Sequence, residues 1–220
     1  MKVCTDACLF GAWSARLISK YRPETKNILD IGTGTGLLSL MLAQKIDASI
    51  DAVEIDHAAA AQAVENILAS PWKDVKVLNI PIADFQSDTR YDLIISNPPF
   101  YKGSLLSPIE DRNAAKHDRY LTLDTLLNSI MEFISDQGYA AVLLPFSRET
   151  DFLQLLSKHN LRFIELTRVR QSVNHGFFRS MFFISLKDAE KFASELSIHD
   201  EERQYTNEFK RLLQDYYLNL

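Results

Sequence analysis

From Asn27 onward the apolar positions fall into short runs whose period changes at regular intervals. "NILDIG", "SIDAVEID", "VKVLNIPI" and "YDLIISN" are β-rich runs, and between the first three stand "GLLSLMLAQKI" and "HAAAAQAVENILAS", which repeat apolar residues at helical spacing. Strand, helix, strand in this rhythm predicts right-handed βαβ units and a mostly parallel sheet. After a loop over residues 101–120 the pattern resumes with a helix near Leu121–Ile134, the strand "GYAAVLLPF" and a helix near Glu149–His159. The last β-rich runs, "FIELTRVRQ" and "SMFFISL", are separated by a few residues including Gly176, too few for a helical crossover, so they are expected to pair antiparallel. The expected fold is α/β: a seven-stranded, mostly parallel sheet with an antiparallel C-terminal hairpin and helices on both faces.

The chain of 220 residues suffices for one well-buried domain, and no Pro/Gly/Ser-rich linker divides it. Within the single domain 1–220 the expected parts are an N-terminal element (1–25), a core (26–160), the hairpin (161–187) and a C-terminal extension with a terminal helix (188–220). A net charge of −5 argues against coating nucleic acid by bulk electrostatics and leaves room for a local basic patch. There is no positively charged leader with an apolar stretch behind it, and no apolar run nears the roughly 20 residues that span a bilayer, so a cytoplasmic protein without membrane contact is expected. Cys4 and Cys8 have no zinc-ribbon spacing and no partner cysteines; they are expected to be reduced thiols, and no metal site is expected.

Candidate chemistry gathers at strand ends, where open α/β sheets bind ligands. "LDIGTGTG" carries Asp30, Gly32, Gly34 and Gly36 at the end of the first strand. A dinucleotide fingerprint would place its third glycine at 37, which is Leu37, so a pyrophosphate cradle is disfavoured. Glu54 ends the second strand, about twenty residues on, where a carboxylate accepts hydrogen bonds from ribose hydroxyls. Asp84 follows the third strand and is a candidate acceptor for an exocyclic adenine amine. A tight turn and two solvated loop acids are the plain alternatives. Acids after three successive strands, Asp30 first, instead suit S-adenosylmethionine, which has an adenosine, a cationic amino-acid tail and no phosphate.

The fourth strand ends in "NPPF": Asn97, Pro98, Pro99 and Phe100. Asn is a poor strand residue and two prolines cannot donate to a ladder, so the strand does not need them for its own stability. An exocyclic amine is a poor nucleophile because its lone pair is delocalised into the ring. The Asn97 side-chain oxygen and the Pro98 carbonyl can accept from its two N–H groups and draw the nitrogen toward tetrahedral geometry, while Phe100 offers a face to a base taken out of its stack. Asn-Pro-Pro-aromatic resembles the amino methyltransferases, which act on adenine N6, guanine N2 or glutamine amide nitrogen.

A closer resemblance lies outside that motif. "MKVCTDACLFGAW" is similar to the "KVGTDGVLLGAW" element of the bacterial tRNA1(Val) adenine-37 N6-methyltransferases, with departures at Cys4, Ala7 and Cys8. "DRNAAKHD", "LLPFSRETDFLQLL", "TRVR" and "YTNEFKRLLQDYYLNL" resemble that family's RN-x-A-(R/K)-H loop, LP-containing strand, late hairpin and terminal helix. The family usually has a further segment ahead of the element at which this chain begins. The resemblance implies a Rossmann-like class I methyltransferase fold and methylation of N6 of a single-stranded anticodon-loop adenine, with S-adenosyl-L-methionine as cofactor, tRNA as partner and no obligate protein partner. It implies that Thr5 and Asp6 face the methionine end of the cofactor, and that Arg112, Asn113, Lys116 and His117 lie beside the target-base pocket.

Residues 158–180 hold Lys158, Arg162, Arg168, Arg170 and Arg179 against the single acid Glu165, a local charge of +4 that suggests a phosphate-binding face, with Arg168 and Arg170 as the RNA contacts. The rival readings are a guanine-N2 methyltransferase for ribosomal RNA and a catalytically degenerate module that binds cofactor and RNA.

Overall fold

Alternation along the strands becomes a sheet covered on both faces. The computed structural model, which describes residues 4–99 and 121–220, contains strands β1 (Asn27–Ile31), β2 (Ser49–Val53), β3 (Val75–Leu78), β4 (Tyr91–Ser96), β5 (Ile134–Pro145), β6 (Arg162–Ser172), β7 (Phe177–Ser185) and β8 (Phe192–His199). Their order is β3-β2-β1-β4-β5-β7-β6-β8. The first five run parallel, β7 is antiparallel to both β5 and β6, and β8 is parallel to β6. The described helices are α1 (Thr5–Tyr21), α2 (Leu37–Ala43), α3 (His57–Ala69), α4 (Leu123–Phe133), α5 (Glu149–Lys158) and α6 (Asn207–Leu213).

Successive strand residues point to opposite faces, and the core divides accordingly. Ile28, Leu93, Ile95, Leu143 and Phe183 pack with α1, α2 and α6, whereas Leu29, Ile94, Val142, Leu144 and Phe182 pack with α4 and α5. Helix starts are set by short polar side chains: Asp56, Thr122 and Thr206 accept the backbone N–H of Ala59, Thr125 and Phe209 and so cap α3, α4 and α6. α1 has no side-chain cap and is held by burial, with Leu9, Phe10 and Ile18 fully enclosed. Its Trp13 indole donates to Thr167 Oγ1 at 3.1 Å, fixing the helix over β6. No helix among the described residues is long and apolar enough to cross a membrane.

The antiparallel hairpin is β6–β7, as expected. The sheet extends one strand further, because part of the C-terminal extension forms β8 at the edge. Only Leu196 and Ile198 of β8 are buried, and Phe192–Glu195 face solvent. An edge strand with two inward apolar residues carries too little period-two signal to stand out from a polar tail.

Candidate active site

β1 and β4 are paired up to the rung Ile31↔Ser96, and beyond it the two chains part around a cavity. β1 adjoins β2 on one side and β4 on the other, so this is the topological switch point of the sheet. Ser96 Oγ donates to the Ile31 carbonyl at 2.8 Å and holds the two strand ends together.

The glycine loop follows β1. Gly32, Gly34 and Gly36 have φ of 75°, 60° and 83°, a left-handed conformation that a Cβ disfavours. The Gly32 and Thr33 N–H groups donate to the Val53 carbonyl at 2.8 and 3.1 Å, tying the loop to the end of β2. Gly36 opens α2, and a Cβ there would lie 3.4 Å from that of Ala63 in α3.

Glu54 is 7% exposed and spans the loop and the next helix start: Oε2 accepts from Gly34 N–H and Oε1 from Asp56 N–H, both at 2.8 Å. A carboxylate has about four acceptor positions, so each oxygen keeps one for a further donor. Asp30 takes another role. It is fully buried beneath the loop, where its Oδ2 accepts from the hydroxyls of Thr33 (2.6 Å) and Ser39 of α2 (2.7 Å), and its Oδ1 has no partner. Burial, partly opposed by those two hydroxyls, pushes its carboxyl up to about 6. Asp30 is thus a support of the glycine loop and not part of the cavity wall, in contrast to the ligand contact expected of it. Thr33 and Ser39 escape a reading of the sequence because isolated hydroxyls carry no spacing signal.

The cavity has a volume of about 390 Å³, within the range of small-molecule sites, and is walled by Gly32–Thr35, Val53–Asp56, Ile80–Ile82, Asn97–Pro99, Leu121 and the N-terminal part of α1 at Cys4 and Ala7. Asn97, Pro98 and Pro99 therefore share one cavity with Gly32, Gly34 and Glu54, as their places at successive strand ends predict. Its described wall contains no lysine or arginine. The lining fits S-adenosylmethionine: free acceptor positions on Glu54 for a ribose, a close-approach glycine backbone, apolar side chains at Ile55 and Ile80–Ile82, and no cation among its described residues for a pyrophosphate.

Other expected contacts lie off this wall. Asp84 is exposed at the end of a single 3₁₀ turn, Ile82–Asp84, with the wall formed by the residues just before it. Thr5 is exposed at the first position of α1. Asp6 is held by Arg179, whose Nε donates to Oδ2 at 2.8 Å, an ion pair in place of the expected free carboxylate. Phe100, Arg112, Asn113, Lys116 and His117 lie outside the described residues.

The basic stretch changes most. Lys158 pairs with Asp124 (3.4 Å), Arg168 with Glu149 (2.7 Å), Arg170 with Glu195 (3.6 Å) and Arg179 with Asp6 (2.8 Å). The +4 read from residues 158–180 is offset by acids from distant parts of the chain. Arg168 donates through Nε and Nη2 to the buried Glu149, which also accepts from Ser180 Oγ at 2.6 Å, so this arginine joins α5 to β6 and β7 instead of reaching for a phosphate. Arg170, whose side chain is about as exposed as that of Arg168, donates through Nε to Ser197 Oγ at 2.7 Å.

The family model described as "Methyltransferase small domain" matches residues 12–121. A tRNA1(Val) (adenine(37)-N6)-methyltransferase of Pectobacterium carotovorum subsp. carotovorum is 42% identical over 99% of this chain and 88% of its own length. One from Christiangramia forsetii is 39% identical over 100% of this chain and 92% of its own. Among solved structures, Atu636 of Agrobacterium tumefaciens, described as "a predicted O-methyltransferase", matches in fold with a TM-score of 0.71 over 97% of this chain and 99% of that one, at 14% identity.

Proposed function

The chain belongs to the bacterial tRNA1(Val) (adenine(37)-N6)-methyltransferase family, within the class I S-adenosylmethionine-dependent methyltransferases, and from that premise we propose that it methylates N6 of adenine 37 in the anticodon loop of tRNA1(Val). The observation that supports this reading best is the shared wall: Asn97, Pro98 and Pro99 border the same cavity as the glycine loop and Glu54. S-adenosylmethionine, when bound, supplies the methyl group on a sulfonium whose leaving group is neutral.

The chain's own residues bind, orient and accept. Glu54 offers its two remaining acceptor positions to the ribose hydroxyls, and Asp84 receives the adenine amine of the cofactor at the rim. Asn97 Oδ1 and the Pro98 carbonyl accept from the two N–H groups of the target amine, which leaves the nitrogen lone pair directed into the cavity. The prolines hold that carbonyl because their φ is locked. Orientation supplies much of the acceleration, and the methylated nitrogen, cationic and strongly acidic once the neutral thioether has left, releases one proton to solvent, so no cysteine or histidine is required as a base. An unpaired loop adenine reaches this site at lower cost than a duplex base, since less stacking is lost.

The test is incubation of the chain with S-adenosylmethionine and, in separate reactions, unmodified tRNA or unmodified ribosomal RNA, followed by nuclease digestion and mass spectrometry. N6-methyladenosine confined to the anticodon-loop fragment is the expected result. Methylation of guanine N2 in ribosomal RNA instead, or cofactor binding without any methylated nucleoside, would overturn the proposal.

A further inference from the structure

Two aromatic rings and a guanidinium at the carboxyl edge of the sheet are not used by the chemistry above. Phe146 opens the 3₁₀ turn that follows β5 and is 37% exposed, unlike Phe182 and Phe183 of β7, which are fully buried. Its ring lies 5.4 Å from that of Phe177, the first residue of β7, at an interplanar angle of 51°. The Arg170 guanidinium sits 5.5 Å from the Phe177 ring centroid.

This grouping depends on a local irregularity. From Glu165↔Phe183 to Val169↔Arg179 β6 and β7 pair in unbroken register, and the next rung is Arg170↔Phe177, skipping Phe178. In unbroken register Arg170 would oppose Phe178. The shift is a β-bulge, a feature that re-aims side chains near functional edges. It sets Phe177 across from Arg170, and Phe146 packs against the same ring.

The position of the group says what it meets. The last rung of β4 with β5 is Ser96↔Val142, and Asn97 follows directly; β5 then pairs with β7 up to Pro145↔Arg179, one residue before Phe146. Asn97 is level with Leu143 of β5 and Thr167 of β6. With about 4.8 Å between strands and about 3.3 Å per residue along them, Phe146, one strand over and three residues on, lies about 11 Å from Asn97, and Arg170, three strands over and three residues on, about 17 Å. Nucleotides flanking a base held at Asn97 fall within that span. Taking the base out of a loop leaves its neighbours unstacked, and an aromatic face backed by a guanidinium offers stacking and a cation to the same nucleotide.

Resting on the function proposed above, we propose that Phe146, Phe177 and Arg170 form a platform on which the base next to the target adenine stacks. The partner is single-stranded RNA. Arg170 holds Glu195, itself half exposed, at only 3.6 Å, longer than a hydrogen bond, so a backbone phosphate can take that place.

The test uses two RNA hairpins: an unmodified anticodon stem-loop of tRNA1(Val), and the same hairpin with abasic nucleotides on both sides of the target adenine. Phe146→Ala and Phe177→Ala are expected to bind the intact hairpin about tenfold more weakly than wild type and the abasic hairpin equally well, with S-adenosylmethionine affinity unchanged. Phe177→Leu, which fills the same space without an aromatic face, is expected to behave like the alanine variant. Wild-type affinity of the Ala variants for the intact hairpin, equal losses on both hairpins, or full rescue by Leu would each overturn the platform. Should the wild type methylate the intact hairpin while the variants bind normally, the platform alone falls; a wild type that methylates no tRNA adenine removes the function on which it rests.

Discussion

Asn97 and Asp30 are both polar residues at strand ends, and their surroundings separate their roles. Asn97 borders the cavity, so Asn97→Ala should leave S-adenosylmethionine affinity nearly intact and lower the methylation rate by about 10² or more, as loss of one oriented acceptor in a transition state does. Single-turnover kinetics at saturating RNA and cofactor isolate this step, and a wild-type rate there would return Asn-Pro-Pro to the status of a turn. Asp30 acts through the loop. Its pKa in the folded chain, about 6, lies above the ordinary value of 3.8, so folding favours the neutral form. The stability it contributes is fully present below about pH 4 and is lost as pH rises through about 6. Asp30→Asn keeps an acceptor for Thr33 and Ser39 but does not titrate. Its stability relative to wild type should therefore be greater at about pH 7.5 than at about pH 4, by on the order of 2–3 kcal/mol. Urea unfolding at both pH values measures this, and a difference that does not change with pH would refute it.

At the scale of elements, the junction of α5 with the β6–β7 hairpin is made by polar groups. Glu149, in the first turn of α5, accepts from Arg168 of β6 and Ser180 of β7. Removing it strands a guanidinium that is 32% exposed, so the penalty is smaller than for a fully enclosed charge. Glu149→Ala is expected to cost about 1–3 kcal/mol in chemical unfolding, and adding Arg168→Met should recover part of the loss. If the double variant were less stable than the single one, the pairing would not be what Glu149 contributes. The helices and parallel strands here were legible from periodicity. This junction was not, because Glu149 reads as an ordinary helix-start acid and Arg168 as one of a row of strand cations, and only contact shows that they neutralise each other.

Across the whole molecule, the C-terminal segment reaches back to the cofactor side. The Asp215 carbonyl accepts from Gln44 Nε2 and its carboxylate from Lys45 Nζ, both at 2.7 Å, and Tyr216 Oη donates to the Met41 carbonyl at 3.2 Å. All three contacts hold α2 or the residues just after it, and α2 begins at the glycine loop. A chain ending at Leu213 should therefore fold, since α1 and α6 remain packed on the sheet, but bind S-adenosylmethionine several-fold more weakly. Calorimetry on the shortened chain decides: unchanged affinity would mean that α1 alone positions α2.

By itself the sequence determined what is local. Strand and helix periods, the Gly32-Gly34-Gly36 turn, the absence of a glycine at Leu37 and the Asn97-Pro98-Pro99 stop are properties of neighbouring residues, and a parallel sheet necessarily brings its strand ends to one edge. Tertiary structure alone decided what acts through space. Asp30 faces the hydroxyls under the loop and not the cavity because α2 packs on that face of β1; Asp6, Asp124, Glu149 and Glu195 meet the cations of residues 158–180 from far along the chain. Phe177 meets Arg170 because one bulge moves the register by a residue. Charge and ring contacts fall off with distance in space and are indifferent to separation in sequence, which is why counting charges in a window overstated the basic face.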